Sequence, residues 1–202
     1  MSALPVAAVK VSISKGLEGQ IPMTGKERTL LTTTKDCPGR LVPVGDEVTI
    51  PSGTFVTLVQ SLGGSYTVIH LGNMIRVDGL DADALGLEPV KLEFEPRPDG
   101  KIDEQQVWEA LHTVYDPEIP VDLVNLGLIY KVDIEQDSCR VSIDMTLTAP
   151  GCGMGPVLVS DVRVRVGRVP NVREVRVDLV LDPPWSREMM SEEAQLETGM
   201  FS

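Results

Sequence analysis

Residues 128–167 read LIYKVDIEQDSCRVSIDMTLTAPGCGMGPVLVSDVRVRVG. Apolar and polar side chains alternate over 128–134 and again over 141–147, which predicts the two strands of a β-hairpin. A glycine-rich break at 150–153 follows the second strand, and the apolar residues of 158–166 then recur at the spacing of a helix. This succession of strand, strand, glycine loop and helix decides how the second half of the chain folds.

The pattern extends on both sides of this stretch. Asp103 can cap a helix that ends before Pro117, with Gln106 three residues later as in a capping box. A last alternating strand lies within 172–181. The predicted order is α-β-β-α-β, an α+β sandwich in which helices pack on one face of a small sheet. We assign this domain to residues 101–202.

The first half has a different pattern, because short β-rich runs alternate there with turns rich in Gly, Pro and Asp. This predicts a small β-barrel-like N-terminal domain over residues 27–95. Residues 1–26 contain Gly, Pro and small side chains and are predicted to form an N-terminal arm. The stretch 95–100 can continue neither a strand nor a helix, so we place the domain boundary there. The predicted strands are Arg28–Thr34, Glu47–Ile50, Thr54–Gln60, Ser65–Leu71 and Met74–Val77.

The composition argues against several classes of function. The formal net charge is -12, whereas nucleic acids and anionic membranes are bound by clustered Lys and Arg. The start of the chain lacks the basic flank and apolar segment of a signal peptide, and no apolar run reaches the length of a membrane span. We therefore expect a cytoplasmic protein that binds neither nucleic acid nor membrane. The acidic surface suits protein partners, or it serves solubility alone.

The three cysteines are Cys37, Cys139 and Cys152, and none forms a Cys-x-x-Cys pair. This spacing argues against a closed zinc site and against a disulfide scaffold. Cys152 lies among three glycines between a strand and a helix, where the helix dipole favours a thiolate that can bind metal or attack an electrophile. The alternative is a small buried residue in a tight turn. Cys37, in a Pro-Gly turn, is either a second ligand or an inert, half-buried thiol.

Further residues are candidates for the same site or for a partner contact. Asp116 and Glu118 stand on a loop stiffened by two prolines, where carboxylates can bind a hard metal or orient a donor, or simply be solvated. Thr148 either lines a pocket near Cys152 or is an ordinary strand residue. Trp185, after the last strand, either caps the core or anchors a partner.

Four motifs follow one another along the second half of the chain: DPEIPV at 116–121, VNLGLIY at 124–130, TLTAPGC at 146–152 and DPPW at 182–185. In this order they resemble the iron–sulfur cluster assembly domain family. The likeness spans most of residues 101–201. The first half, with Lys35-Asp36-Cys37 and the stretch QSLGGSY at 60–66, is similar to the N-terminal extension of the SufT branch of that family.

The resemblance implies an accessory factor that matures iron–sulfur proteins and is not an enzyme. No cofactor would be stably bound, and iron or a cluster would be held transiently, because one thiolate cannot complete a four-ligand cluster site. The implied partners are assembly proteins and client apoproteins, and a homodimer is a further option. Ala149 stands where some family members have a second Thr, so one hydroxyl is missing here. The implied pocket residues are Asp116, Glu118, Thr148 and Cys152. We expect Cys152 to be a metal ligand, and stable cluster binding would need Cys37, a second subunit or a partner thiol as well.

Two other classes of function remain open. A pure adaptor would use Cys152 structurally and would contact its partner through the region of Trp185. A cysteine-dependent enzyme would need a general base within hydrogen-bond reach of Cys152, and neither His70 nor His112 lies in one of the motifs.

Overall fold

The computed structural model describes residues 28–62, 64–119, 121–149 and 151–199. This part of the chain is a mixed α+β structure with nine strands in two sheets and few helices. The predicted N-terminal arm, 1–26, lies outside the described residues. Within the described ranges, no helix combines the length and the apolar composition that a bilayer crossing needs.

The first sheet, called the N-terminal sheet below, has six strands. All of its pairings are antiparallel, and the spatial order is β1-β4-β5-β6-β2-β3. This series is linear, with β1 and β3 at its edges, so the barrel-like description is not confirmed. The strands are β1 (Thr29–Thr32), β2 (Cys37–Leu41), β3 (Glu47–Ile50), β4 (Phe55–Leu62), β5 (Ser65–His70) and β6 (Asn73–Asp78).

A 3₁₀ helix, Gly79–Leu85, follows β6 and covers this sheet. Asp78 caps it, since its carboxylate accepts a hydrogen bond from the N–H of Leu80 at 2.8 Å. The end of the helix contributes to the N-terminal core, which the aliphatic residues of the strands complete. Residues 86–103 contain neither helix nor strand, and the predicted boundary at 95–100 falls inside this connection.

The second half of the chain follows the predicted order α-β-β-α-β. β7 and β8 form an antiparallel hairpin, and α2 crosses over so that β9 lies parallel to β8. A short helix that the sequence pattern does not predict, α3 (Glu192–Thr198), follows further along the chain. The five elements are α1 (Glu104–Leu111), β7 (Ile129–Glu135), β8 (Arg140–Met145), α2 (Gly155–Val166) and β9 (Glu174–Leu179).

Helices α1 and α2 bury their apolar sides in a second hydrophobic cluster, the C-terminal core. The cluster includes Leu111 of α1, Ile143 of β8 and Val162 of α2, and all three are fully buried. The cap predicted at Asp103 is confirmed, because its carboxylate accepts a hydrogen bond from the N–H of Gln105. This core holds the N-terminus of α2 against the end of β8, and that junction carries the candidate site.

Candidate functional site

Cys152 lies on the loop that joins β8 to α2, called the Cys152 loop below (residues 146–154). Its N–H donates to the carbonyl of Ala149 at 3.1 Å, and its own carbonyl accepts from the N–H of Gly155 at 3.2 Å. Gly151 has a φ of +85°, a backbone conformation that residues with a Cβ atom rarely adopt. The thiol is free, half-buried and packed against the C-terminal core. The glycines thus allow a tight turn that presents a thiol just before a helix.

The two threonines of the Cys152 loop have different surroundings. Thr148, which the motif assigns to the pocket, is half-buried. Thr146 is 1% exposed, and its hydroxyl has no hydrogen-bond partner in the described part of the chain. A buried hydroxyl without a partner is costly, so Thr146 belongs among the residues of interest although the strand pattern gives no signal that separates it from Thr148.

Asp116 shapes the loop between α1 and β7, called the Asp116 loop below (residues 116–121). Its side chain is nearly buried, and Oδ1 accepts hydrogen bonds from the N–H groups of Glu118 at 2.8 Å and Ile119 at 2.9 Å. Its own N–H donates to the carbonyl of Val121 at 3.1 Å. The carboxylate is therefore occupied by the backbone of its own loop. Glu118 is exposed, so its carboxylate is accessible to a ligand.

Both loops contact the N-terminal sheet. Gln60 on β4 donates from Nε2 to the carbonyl of Pro117 at 2.7 Å. On the other loop, a Cβ built on Gly153 would lie 3.4 Å from Cβ of Pro43, which is close van der Waals contact. Each loop therefore lies against the first half of the chain, the Asp116 loop at β4 and the Cys152 loop at the connection from β2 to β3. Pro43 belongs to no motif. Gln60 opens the stretch 60–66 that resembles the SufT extension, but that likeness gives no signal for a contact with Pro117.

Cys37 lies in the N-terminal core, whereas Cys152 packs on the C-terminal core. Cys37 is fully buried, and burial raises the pKa of its thiol to about 11. At neutral pH this thiol is therefore protonated. Because a thiol binds metal as the thiolate, the raised pKa and the burial both disfavour Cys37 as a ligand. Among the described residues no group of three or more His, Cys, Asp or Glu side chains could hold a metal ion. The structure does not bring Cys37 into a site with Cys152.

Trp185 is held by the chain itself. Its indole N–H donates to the carbonyl of Leu126 at 2.7 Å, and the ring packs half-buried against the C-terminal core. Nearby, the hydroxyl of Tyr130 donates to the carbonyl of Pro183 at 2.8 Å. The motif at 182–185 is thus tied to the motif at 124–130 by two hydrogen bonds. This arrangement favours the capping interpretation of Trp185 over the partner contact.

A hydrogen bond between His112 and Asp122, two residues outside the four motifs, stabilises the segment after the Asp116 loop. Nδ1 of His112 lies 3.1 Å from Oδ1 of Asp122, and this hydrogen bond raises the pKa of the imidazole. Burial alone would raise the pKa of Asp122, but its hydrogen bonds with His112 and Asn125 outweigh burial and lower it. Asp122 also accepts from the N–H groups of Val124 and Asn125. Asp122 thus forms an Asx turn, in which the side chain accepts from the backbone N–H groups that follow it.

Comparison with known proteins shows the family to which this chain belongs. Residues 104–179 match the profile of the family described as iron-sulfur cluster assembly protein. A Fe-S protein maturation auxiliary factor from Porphyromonas gingivalis is 49% identical over 98 residues, which are 48% of this chain and 92% of that protein. The chain therefore belongs to the iron–sulfur cluster assembly protein family.

Two further relatives carry similar names. The Fe-S protein maturation auxiliary factor YitW of Bacillus subtilis is 41% identical over 96 residues, 48% of this chain and 93% of the relative. The Fe-S protein maturation auxiliary factor SufT of Staphylococcus aureus is 40% identical over 87 residues, 43% of this chain and 98% of the relative. These matches each cover about half of the chain, so the likeness of the first half to a SufT extension stays a prediction.

Proposed function

We propose that this protein is an accessory factor in the maturation of iron–sulfur proteins, and that Cys152 transiently binds iron, a cluster or a cluster-bearing partner. The observation that carries the proposal is the free, half-buried thiol on a glycine loop inside the segment that matches the family. Three relatives at 40–49% identity named as maturation auxiliary factors support it. The role is non-enzymatic, in the cytoplasm, and the chain divides into domains at 27–95 and 101–202.

Transient binding agrees with the supply of ligands. Cys152 contributes one thiolate, whereas a stable cluster site uses four ligands. The remaining ligands come from an assembly protein, a client apoprotein or a second copy of this chain. Within the chain, Thr148 and the exposed Glu118 are the side chains that border the bound cargo, while Asp116 holds loop geometry. Cys37 is left out of the ligand set because its thiol is fully buried in the N-terminal core.

The two alternative functions find less support at the site. A partner anchored on Trp185 would meet an indole N–H that is already bonded to Leu126. A cysteine-dependent enzyme would need a base beside the thiol, and His112 is instead engaged with Asp122. The carrier function is therefore the one that we put to the test.

The test measures the activity of an iron–sulfur enzyme such as aconitase in cells that lack this protein, under iron limitation. We expect the wild-type protein to restore the activity and Cys152→Ser to fail at equal accumulation, because a hydroxyl is a poor ligand for iron in a cluster. Cys139→Ser is the matched control, since Cys139 is a free, half-buried cysteine outside the motifs. It should restore activity like the wild type.

Two results would contradict the proposal. Full rescue by Cys152→Ser would move the chemistry away from the thiol and would favour an adaptor. Unchanged aconitase activity in the deletion strain would mean that the protein does not serve iron–sulfur maturation.

A further inference from the structure

Two buried ion pairs join the N-terminal sheet to α2. Nε of Arg76 on β6 lies 2.9 Å from Oδ2 of Asp161 on α2. Arg165 on α2 pairs with Asp78 at the end of β6, with Nη2 to Oδ1 at 2.9 Å and Nε to Oδ2 at 3.0 Å. Each of the four side chains is at most 15% exposed. Because each element supplies one cation and one anion, sliding β6 along α2 would leave buried charges unpaired, which is costly. The pairs therefore fix how the sheet docks.

This docking also fixes the position of the turn between β2 and β3, called the β2–β3 turn below (residues 42–46). β2 pairs with β6, with Leu41 opposite Ile75. The N–H of Val42 donates to the carbonyl of Met74 at 2.9 Å, and the N–H of Gly45 donates to the carbonyl of Leu41 at 2.7 Å. The turn is thus hydrogen-bonded to the hairpin that carries Arg76, and it moves with that hairpin.

The β2–β3 turn packs against residues 153–156, which directly follow Cys152. A Cβ on Gly153, the next residue, would lie 3.4 Å from Cβ of Pro43. Gly45, at a φ of +83°, approaches the first turn of α2 so closely that a Cβ there would lie 2.9 Å from Cβ of Pro156. Val44 at the tip of the turn is 57% exposed. The turn therefore flanks the chain directly after Cys152, at Gly153 and at the first turn of α2.

We propose that the β2–β3 turn is a fixed wall of the Cys152 site, which holds the Cys152 loop and limits the size of the molecule that reaches the thiol. The inference rests on the proposed function only in taking Cys152 as the working residue. Pro43 and Gly45 are positioning residues, because Pro43 contacts the Cys152 loop at Gly153 and Gly45 contacts the first turn of α2 at Pro156. The first half of the chain, which the family profile does not cover, then selects what the second half can bind.

The test measures how fast Cys152 of the full chain is alkylated by iodoacetamide and by a maleimide that carries a polyethylene glycol chain. Mass spectrometry of peptides separates Cys152 from the other two cysteines. In Gly45→Ala the added methyl group collides with Pro156 and displaces the turn. We expect the rate with the large reagent to rise several-fold and the rate with iodoacetamide to rise less, because removal of a wall relieves a large reagent more than a small one.

Gly72→Ala is the matched control for this variant. Gly72 has a φ of +81° in another hairpin turn of the same sheet, but a Cβ there would meet nothing within 4 Å. It carries the same backbone strain without the contact, and both rates should equal those of the wild type. Cys37, which is fully buried in the N-terminal core, reports whether the sheet is folded, since it should stay unreactive.

A second variant perturbs the docking away from the turn. Arg165→Gln leaves Asp78 without its cation, and we expect the same preferential rise in the rate with the large reagent. Arg163→Gln, an exposed residue on the same helix, is its control and should leave both rates unchanged. Cys37 becomes reactive in Gly45→Ala if that variant unfolds the sheet. In that case the comparison of Arg165→Gln with its control Arg163→Gln tests the proposal.

The proposal is overturned if the folded variants leave both rates at the wild-type value, or if Gly72→Ala raises them as much as Gly45→Ala does. An equal rise with both reagents also overturns it, because the turn would then not discriminate by size. These rates do not depend on iron–sulfur maturation in cells. A failure of Cys152 in the rescue assay is therefore distinguishable from a failure of the wall.

Discussion

The carboxylate of Asp116 is nearly buried and accepts two backbone hydrogen bonds, from Glu118 and Ile119. Hydrogen bonds to charged groups contribute more than neutral ones, so we expect Asp116→Ala to lower the free energy of unfolding by about 2 kcal/mol. Asp116→Asn keeps a carbonyl oxygen that can accept the same bonds in an Asx turn, and its loss should be smaller. Urea unfolding of the three proteins measures this. Equal losses in both variants would show that the charge matters and the loop geometry does not.

Single residues show how far a motif predicts environment. The motif selects Asp116, and the structure gives that residue the loop-forming hydrogen bonds. A sequence motif cannot show that Cys37 is fully buried while Cys152 is half-buried, because burial depends on pairing between strands that are distant in the sequence. Cys37 pairs with Ile50 across β2 and β3, and that neighbour is also in the N-terminal core. Cys37 therefore lies in strand β2, and its placement in a Pro-Gly turn is wrong.

Strand β2 shows the same limit for an element. It contains Pro38 and Gly39, two residues that usually interrupt strands. The structure needs Gly39 because a Cβ there would lie 2.5 Å from Cγ2 of Ile75 on β6. Close approach of two strands is a tertiary requirement, and propensity along one strand cannot reveal it. The hairpin of β7 and β8 and the helix α2 are predictable because their periodicity is local.

Gly127 offers a test of such close approach at the segment before β7. It has a φ of +70°, and a Cβ there would lie 2.2 Å from the carbonyl oxygen of Met189. Gly100 has a φ of +69° with nothing within 4 Å. Alanine at either position carries backbone strain of about 1–2 kcal/mol, but only Gly127→Ala must also displace the segment that precedes α3. We expect it to lose at least about 1 kcal/mol more than Gly100→Ala, as overpacking usually does.

Thermal or urea unfolding of the two glycine variants separates strain from collision. The Gly100→Ala loss gives the strain alone, and the difference between the variants gives the collision. Equal losses would contradict the close contact between Gly127 and Met189.

At the scale of the whole molecule, the docking of the two halves depends on contacts that no local sequence pattern predicts. Its two halves are separable by composition, and the connection at 95–100 is readily found. The pairing of Arg165 with Asp78 joins residues 87 positions apart. Isolated charges in a strand or helix pattern usually indicate a solvated face, so nothing local distinguishes this pair from exposed ones. Docking of the halves, and with it the wall beside Cys152, emerges only from the tertiary structure.

Asp161, which docks α2 on β6, gives the interface a dependence on pH. Burial raises the pKa of its carboxyl group from 3.8 to about 6, although the nearby cations Arg76, Arg165 and Arg40 oppose this and Asp78 adds to it. The folded state therefore binds more protons than the unfolded state between these two values. The contribution of Asp161 to the free energy of unfolding is complete below pH 3.8 and falls as the pH rises through about 6.

Asp161→Asn removes the titrating group, so its unfolding free energy should lack this fall. The advantage of the wild type over the variant should shrink by on the order of 2 kcal/mol from pH 4 to pH 7, since one pKa unit corresponds to about 1.4 kcal/mol. The variant lacks the carboxylate partner of Arg76 at every pH, and this loss adds only a constant offset. Urea unfolding at a series of pH values measures the difference. Parallel curves for the two proteins would mean that Asp161 does not titrate in this window, and that the docking of the two halves is insensitive to pH there.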